Sequence, residues 1–162
     1  PTIAALPGAA AGAGLAIALA CDIRIAAQSA FVSTGYAKVG LSGDYGIAWL
    51  LTRAVGSARA RELMFTAERV DAERCERIGL VNRVVPDAEL DDAVHGLAGQ
   101  IRSKPRCTIA QGKRAFYEQL EMGLERAYEL AGHVIASSFA HEEGREGMDA
   151  FIEKRPPSWQ KR

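Results

Sequence analysis

Short apolar runs alternate with turns of small residues in the first half of the chain, whereas the second half has a helical periodicity. The chain opens on the apolar run from Thr2 to Leu6, which predicts a short buried strand. A turn rich in glycine and alanine follows at residues 8–14, and the unbroken apolar run from Leu15 to Ala20 predicts a buried helix. The order strand, turn, helix is typical of one unit of an α/β fold.

Further short elements are predicted up to residue 86. Strands are expected at residues 22–27, 31–32 and 80–85. Helices are expected to begin at residue 47, where Trp49 is predicted to be buried, at Ser57 as a helix cap, and after a cap at Asp71. Residues 35–46 hold four glycines in twelve positions and predict a loop, which is the type of segment that most often carries function.

From residue 87 onward the apolar positions recur every three or four residues, which predicts amphipathic helices. The first apolar stripe consists of Leu90, Val94, Leu97 and Ile101, and Pro105 ends that helix. Further helices are predicted at residues 108–120, 124–139 and 147–154. The sequence therefore predicts two parts, an α/β portion at residues 1–86 and a helical region at residues 87–162.

Composition narrows the range of partners. The 162 residues include 20 basic and 20 acidic side chains, so no excess charge favours a nucleic acid or a membrane surface. The apolar runs are too short to span a bilayer. Cys21, Cys75 and Cys107 follow neither a zinc-site spacing nor a disulfide framework, so we expect no metal site and reduced thiols, as in a cytoplasmic protein.

The glycine-rich turn is the first candidate for chemistry. A helix that starts directly after such a turn points unpaired N–H groups, and the positive end of its dipole, at whatever the turn holds. Gly8, Gly12 and Gly14 also resemble a dinucleotide-binding turn. That motif requires an acidic residue after the second strand or a Tyr-x-x-x-Lys pair, and neither is present, so we disfavour it.

Three segments together resemble the crotonase superfamily, the enoyl-CoA hydratases and isomerases. They read P-G-A-A-A-G-A-G-L-A-I-A-L-A-C-D-I-R-I-A at 7–26, K-V-G-L-S-G-D-Y-G-I-A-W-L-L-T-R-A-V-G at 38–56, and R-I-G-L-V-N-R-V-V-P at 77–86 with E-G-M-D-A-F-I-E-K-R-P-P-S-W at 146–159. The resemblance implies a spiral of ββα turns followed by helices used for trimer formation. It also implies an acyl-CoA thioester as the substrate, coenzyme A entering as part of that substrate, and a homotrimer or hexamer.

We expect that the natural N-terminal portion of the fold precedes this sequence, because residue 1 is proline and a strand follows at once. The resemblance agrees, since the family's first third normally supplies early strands, most coenzyme A contacts and one of two oxyanion-hole N–H groups. An open strand edge and uncovered apolar surface predict self-association. A separate chain that supplies the missing third is an alternative.

The resemblance assigns roles around the turn. The backbone N–H of Ala13 is expected to hold the thioester oxygen, with Gly12 and Gly14 beside it. Tyr36 and Trp49 are expected in the core or in the wall of an acyl pocket. Phe151 and Lys161 lie where the family's C-terminus approaches the adenine of a neighbouring subunit's coenzyme A, although ordinary packing and a solvated tail are the alternative.

The acid–base residues depart from the hydratase pattern. The two hydratase glutamates match Ala16 and Gly35, or Tyr36 if the register shifts by one, and none of these is acidic. Asp44 matches the loop position of an acidic residue in the isomerase branches, and is predicted to move a proton between the α and γ carbons of an enoyl thioester. A simple turn role for Asp44 stays open, as does a degenerate protein that only assembles or binds acyl-CoA.

Overall fold

The computed structural model of the chain describes residues 1–161, and the side chains of residues 1–160. Two compact units make up this part of the chain. One comprises Thr2–Leu97, and the other comprises Pro1 with the residues from Ala98 onward. The first unit extends beyond the expected limit at residue 86, because Leu90 is buried in its core and Leu97 packs against that core.

Parallel strand pairs organise the first unit. Strand β1 (Ile3–Leu6) pairs with β3 (Ile23–Ala27), which pairs in turn with β6 (Arg83–Val85). In a second sheet, β2 (Ala9–Ala11) lies parallel to β4 (Phe31–Ser33), and β5 (Val70–Asp71) is antiparallel to β4. Strands β2 and β5 are absent from the predicted elements, because segments of two or three residues are too short to show an alternating pattern.

The chain moves through these two sheets as a spiral. It visits the first sheet at β1, crosses to the second at β2, and then forms the helix α1 (Ala13–Ala20) before returning to β3 and β4. Helices α2 (Ile47–Val55), α3 (Ser57–Thr66) and α4 (Ala72–Arg77) follow, and α5 (Leu90–Arg102) comes after β6. Repetition of two strands and a helix is the ββα order that the resemblance implies.

The core of this unit lies where the apolar runs meet. The largest of its fully buried side chains come from α1, β3, α2 and the segment before β6, and include Leu15, Ile25, Leu51 and Leu80. The first predicted strand is less buried than expected, because in β1 the Ala5 side chain is exposed and only Leu6 is buried.

Two predictions of helix geometry are wrong and one is confirmed. Trp49 is 51% exposed, because α2 buries positions 47, 51 and 55, and a residue two positions after the first of these points about 200° away. Ser57 is the first residue of α3 rather than its cap, a position that Gly56 occupies without a side-chain hydrogen bond. Asp71 does cap α4, since its Oδ1 accepts a 2.7 Å hydrogen bond from the N–H of Arg74.

The second unit consists of helices α6 (Arg106–Gln119), α7 (Leu124–Ala140) and α8 (Glu142–Ile152), followed by a short 3-10 turn at Ser158–Lys161. Helix α8 begins earlier than the predicted residue 147, because His141 caps it by accepting the N–H of Glu143 at 3.2 Å. No helix within residues 1–161 combines the length and the apolar character needed to cross a membrane.

Candidate active site

The turn between β2 and α1 is held in a conformation that suits glycine. Gly12 has φ 53° and ψ −123°, which residues with a side chain rarely adopt. Its N–H donates to the carbonyl of Ser33 at 3.1 Å, and its own carbonyl accepts the N–H of Ala16 at 3.1 Å. The turn is therefore tied to β4 on one side and to the first turn of α1 on the other.

Ala13 begins α1 directly after this turn. As the first helical residue it has no intrahelical acceptor for its N–H, and no backbone acceptor is found for it among residues 1–161. Gly14 is the next residue of α1 and is exposed. The arrangement leaves a backbone donor at the positive end of a buried helix, which is where an oxygen that gains negative charge would bind.

The segment after β4 returns to this turn. Gly35 has φ 74°, and a Cβ atom added there would lie 3.9 Å from the nitrogen of Gly12. A Cβ atom added to Gly12 would lie 3.7 Å from Cζ and 3.8 Å from the hydroxyl oxygen of Tyr36. The buried phenol of Tyr36 therefore lies next to the residue that precedes the Ala13 donor.

A hydrogen bond joins Tyr36 to Asp44. The Tyr36 hydroxyl donates to Asp44 Oδ1 at 2.5 Å, a length typical of a hydroxyl bound to a carboxylate. This hydrogen bond, reinforced by burial of the ring, raises the pKa of Tyr36 above its ordinary value, because ionisation would place two negative charges side by side. The carboxylate of Asp44 itself is exposed.

Asp44 also has a local structural role. Its carbonyl accepts the N–H of Ile47 at 3.0 Å in the turn that leads into α2. The preceding Gly43 has φ 103°, and a Cβ atom there would lie 3.0 Å from Ile47 Cγ2 and 3.5 Å from Tyr36 Cδ2. The turn role of Asp44 and its side-chain contact with Tyr36 therefore coexist, and close packing of the loop holds both.

The positions that match the hydratase glutamates carry no acid in the folded chain either. Ala16 is 1% exposed in the first unit's core, and Gly35 adopts a left-handed backbone conformation that a glutamate would strain. The structure thus brings together Gly12, Ala13, Tyr36 and Asp44, and Asp44 is the acid among them.

The remaining predicted site residues lie elsewhere on the surface. Trp49 is on the exposed side of α2, and the Arg53 guanidinium stacks on its ring at 3.6 Å from the centroid. Phe151 is on α8 in the second unit, where it is 80% exposed. The side chain of Lys161 lies outside the described residues. The roles predicted for these three residues stay predictions.

A group of possible metal ligands lies in the second unit. Donor atoms of Cys107, His141 and Glu143 are within 4.8 Å of one another. However, His141 Nδ1 accepts the N–H of Glu143, and Glu143 Oε2 accepts the N–H of Cys107 at 2.9 Å and of Thr108 at 3.3 Å. Capping of α6 and α8 therefore explains this cluster without a metal ion.

Sequence reasoning missed the contact between Tyr36 and Asp44. Both residues were candidates, but for different roles, and they are separated by a 3-10 turn at Tyr36–Val39 and a glycine-rich loop. The three positive-φ glycines at 40, 43 and 46 were the available signal, because they allow the loop to fold back sharply.

Known proteins resemble the chain along its whole length. The family model described as enoyl-CoA hydratase/isomerase matches residues 1–162. A probable enoyl-CoA hydratase of Rhodobacter capsulatus is 39% identical over 157 residues, covering 97% of this chain and 61% of that protein. A crotonyl-CoA hydratase of Syntrophomonas wolfei is 37% identical over 155 residues, covering 96% of this chain and 60% of that protein. The chain therefore spans about three fifths of the length of these curated relatives.

Solved structures agree with this assignment. The crystal structure of human enoyl coenzyme A hydratase domain-containing protein 3 matches with a TM-score of 0.94 and 36% identity, over 98% of this chain and 62% of that one. An enoyl-CoA hydratase from Mycobacterium smegmatis gives the same TM-score at 38% identity, over 98% of this chain and 62% of that one. The predicted α/β spiral with its helical region is thus confirmed, and the chain belongs to the enoyl-CoA hydratase/isomerase family of the crotonase superfamily.

Proposed function

We propose that the chain contributes to an acyl-CoA active site that moves a double bond within an enoyl thioester, with Asp44 as the proton shuttle. The observation that carries this proposal is the hydrogen bond from Tyr36, which holds the Asp44 carboxylate beside the turn that precedes the Ala13 donor. The lack of acids at Ala16 and Gly35 favours isomerisation over hydration, because adding water requires a placed base and a placed acid.

The reaction needs one carboxylate and one oxyanion site. Asp44 takes a proton from the α carbon of a 3-enoyl thioester, and the electron pair moves into the carbonyl to form a dienolate. The N–H of Ala13 donates to the dienolate oxygen, a contribution worth about 100- to 1,000-fold in rate for one donor. Asp44 then returns the proton to the γ carbon, so that no atom is gained or lost.

The direct test replaces Asp44 by asparagine. We expect the conversion of a 3-enoyl-CoA to the conjugated 2-enoyl-CoA to fall by about 100-fold or more, because the amide cannot act as the base. The matched control is Asp92→Asn, an exposed acid on α5 whose loss should leave the rate unchanged. Undiminished isomerisation in the Asp44 variant would rule out the shuttle.

A non-catalytic role in acyl-CoA binding or assembly is the second candidate. It is favoured by one observation, the burial of Ala16 and the strained backbone at Gly35, which leave the hydratase positions without an acid. Titration calorimetry with a saturated acyl-CoA would support this role if binding occurs while neither isomerisation nor hydration can be detected. Turnover that depends on Asp44 would exclude it.

We also propose that copies of the chain associate as a homotrimer through the surface of α6 and α7. Large apolar side chains are exposed along these helices: Phe116, Leu120, Leu124, Tyr128, Ile135 and Phe139. A contiguous apolar surface of this kind typically marks an interface. Sedimentation equilibrium should give three times the chain mass, whereas a well-behaved monomer would contradict the assembly.

A further inference from the structure

Tyr36 is the more rigid member of the pair that it forms with Asp44. Its side chain is only 9% exposed, and its carbonyl accepts the N–H of Leu41 at 3.0 Å. The ring is close to the backbone of Gly12 on one side and of Gly43 on the other. The phenol hydroxyl is therefore held at one place next to the oxyanion turn.

Asp44, in contrast, lies on an exposed glycine-rich loop. Within the described residues, its carboxylate has one side-chain hydrogen-bond partner, the hydroxyl of Tyr36. Without that partner, an exposed aspartate would exchange freely between rotamers. The hydrogen bond thus selects one orientation of the carboxylate relative to the turn.

We propose that Tyr36 is a positioning residue for the proton shuttle: it occupies Oδ1 of Asp44 and leaves Oδ2 as the oxygen that accepts and returns the substrate proton. This inference rests on the proposed isomerisation. It adds a role for Tyr36 that differs from the pocket wall suggested by the family resemblance.

The proton balance of the reaction supports this division of labour. The α C–H bond breaks as an O–H bond forms at Oδ2, and the electron pair moves onto the thioester oxygen. The O–H bond at Oδ2 then breaks as the γ C–H bond forms. The Tyr36 proton stays on its own oxygen throughout, which is consistent with the raised pKa of this phenol. Because one oxygen must reach two carbons in turn, its direction must be maintained between the two transfers.

A double-mutant cycle tests the role. We expect Tyr36→Phe to lower kcat by about 10-fold or more with KM unchanged, the usual effect of losing one hydrogen bond to a charged group. In the Asp44→Asn background, the same change should have no further effect, because there is no shuttle left to orient. Tyr45→Phe is the matched control, since that neighbouring tyrosine is exposed and has the same small loss of one hydroxyl.

Other outcomes would overturn the inference. An equal loss of kcat in both backgrounds would make Tyr36 merely structural, and a raised KM alone would make it part of the pocket wall. If Asp44→Asn keeps full activity, the proposed function fails. If that variant is inactive but Tyr36→Phe is fully active, the positioning role alone fails.

A spectroscopic measurement gives an answer even if Tyr36→Phe does not fold. NMR of carbon-labelled tyrosine should show that Tyr36 ionises at lower pH in Asp44→Asn than in the wild type, since the neighbouring negative charge is gone. Packing alone would not produce this change. An unaltered ionisation of Tyr36 in the variant would refute the coupling between the two side chains.

Discussion

Replacing Gly12 by alanine tests whether the turn before α1 requires the backbone conformation of glycine. Gly12 has a positive φ of 53°, whereas Gly14, two residues later in α1, does not. The two substitutions add the same methyl group to the same segment. Gly14→Ala is therefore a closely matched control for Gly12→Ala.

The structure indicates where the cost arises. A Cβ atom on Gly12 would lie 3.7 Å from the carbonyl oxygen of Thr34 and 3.7 Å from Tyr36 Cζ, which are ordinary contacts. Strain in the backbone, about 1–3 kcal/mol for a residue forced into such a region, is therefore the main term. At Gly14 no atom lies within 4 Å of the added methyl. Alanine there should stabilise the protein by about 0.4–1 kcal/mol, because it restricts the unfolded chain.

Urea unfolding of the wild type and both variants measures this difference. We expect the free energy of unfolding of Gly12→Ala to lie about 2 kcal/mol or more below that of Gly14→Ala. Isomerase activity should also fall more in Gly12→Ala, because the strained turn precedes the Ala13 donor. If the two variants are equally stable, the turn tolerates a side chain and the argument from φ is wrong.

Two further predictions concern stability. Three hydrogen bonds, two of them from an arginine fork, lower the pKa of Glu146 to about 2, so its contribution to stability is complete above about pH 4.5 and is lost as the pH falls towards 2. Glu146→Gln should flatten the decline in the free energy of unfolding over this range, and parallel curves for the two proteins would contradict this. On α2, Leu51→Ala should cost about 2–5 kcal/mol, because Leu51 is fully buried, whereas Trp49→Ala should cost about 1 kcal/mol, mostly a cation–π contact. Equal losses in urea unfolding would mean that α2 packs differently.

The family and the order of its elements were accessible from the sequence because they depend on local patterns. The run from Leu15 to Ala20 predicted a buried helix, which the structure places at Ala13–Ala20. The cap at Asp71 followed from residue type and position alone. Motifs of this kind report backbone preferences and spacing, which a single chain segment contains in full.

Contacts between segments were not accessible in the same way. The boundary after residue 86 overlooked the packing of Leu97 against the core. Trp49 was predicted to be buried because of its size, although the register of α2 turns it outward. An apolar residue alone does not indicate the face of a helix on which it lies.

The sequence by itself determined the glycine-rich turn, the buried helix behind it and the absence of the two hydratase glutamates. The tertiary structure decided that Tyr36 and Asp44 form a pair next to that turn. The physical reason is that a hydrogen bond between side chains requires both donor and acceptor to be placed within about 3 Å, and no local propensity specifies such a distance. Here it depends on a loop that folds back at positive-φ glycines and packs against the ring of Tyr36.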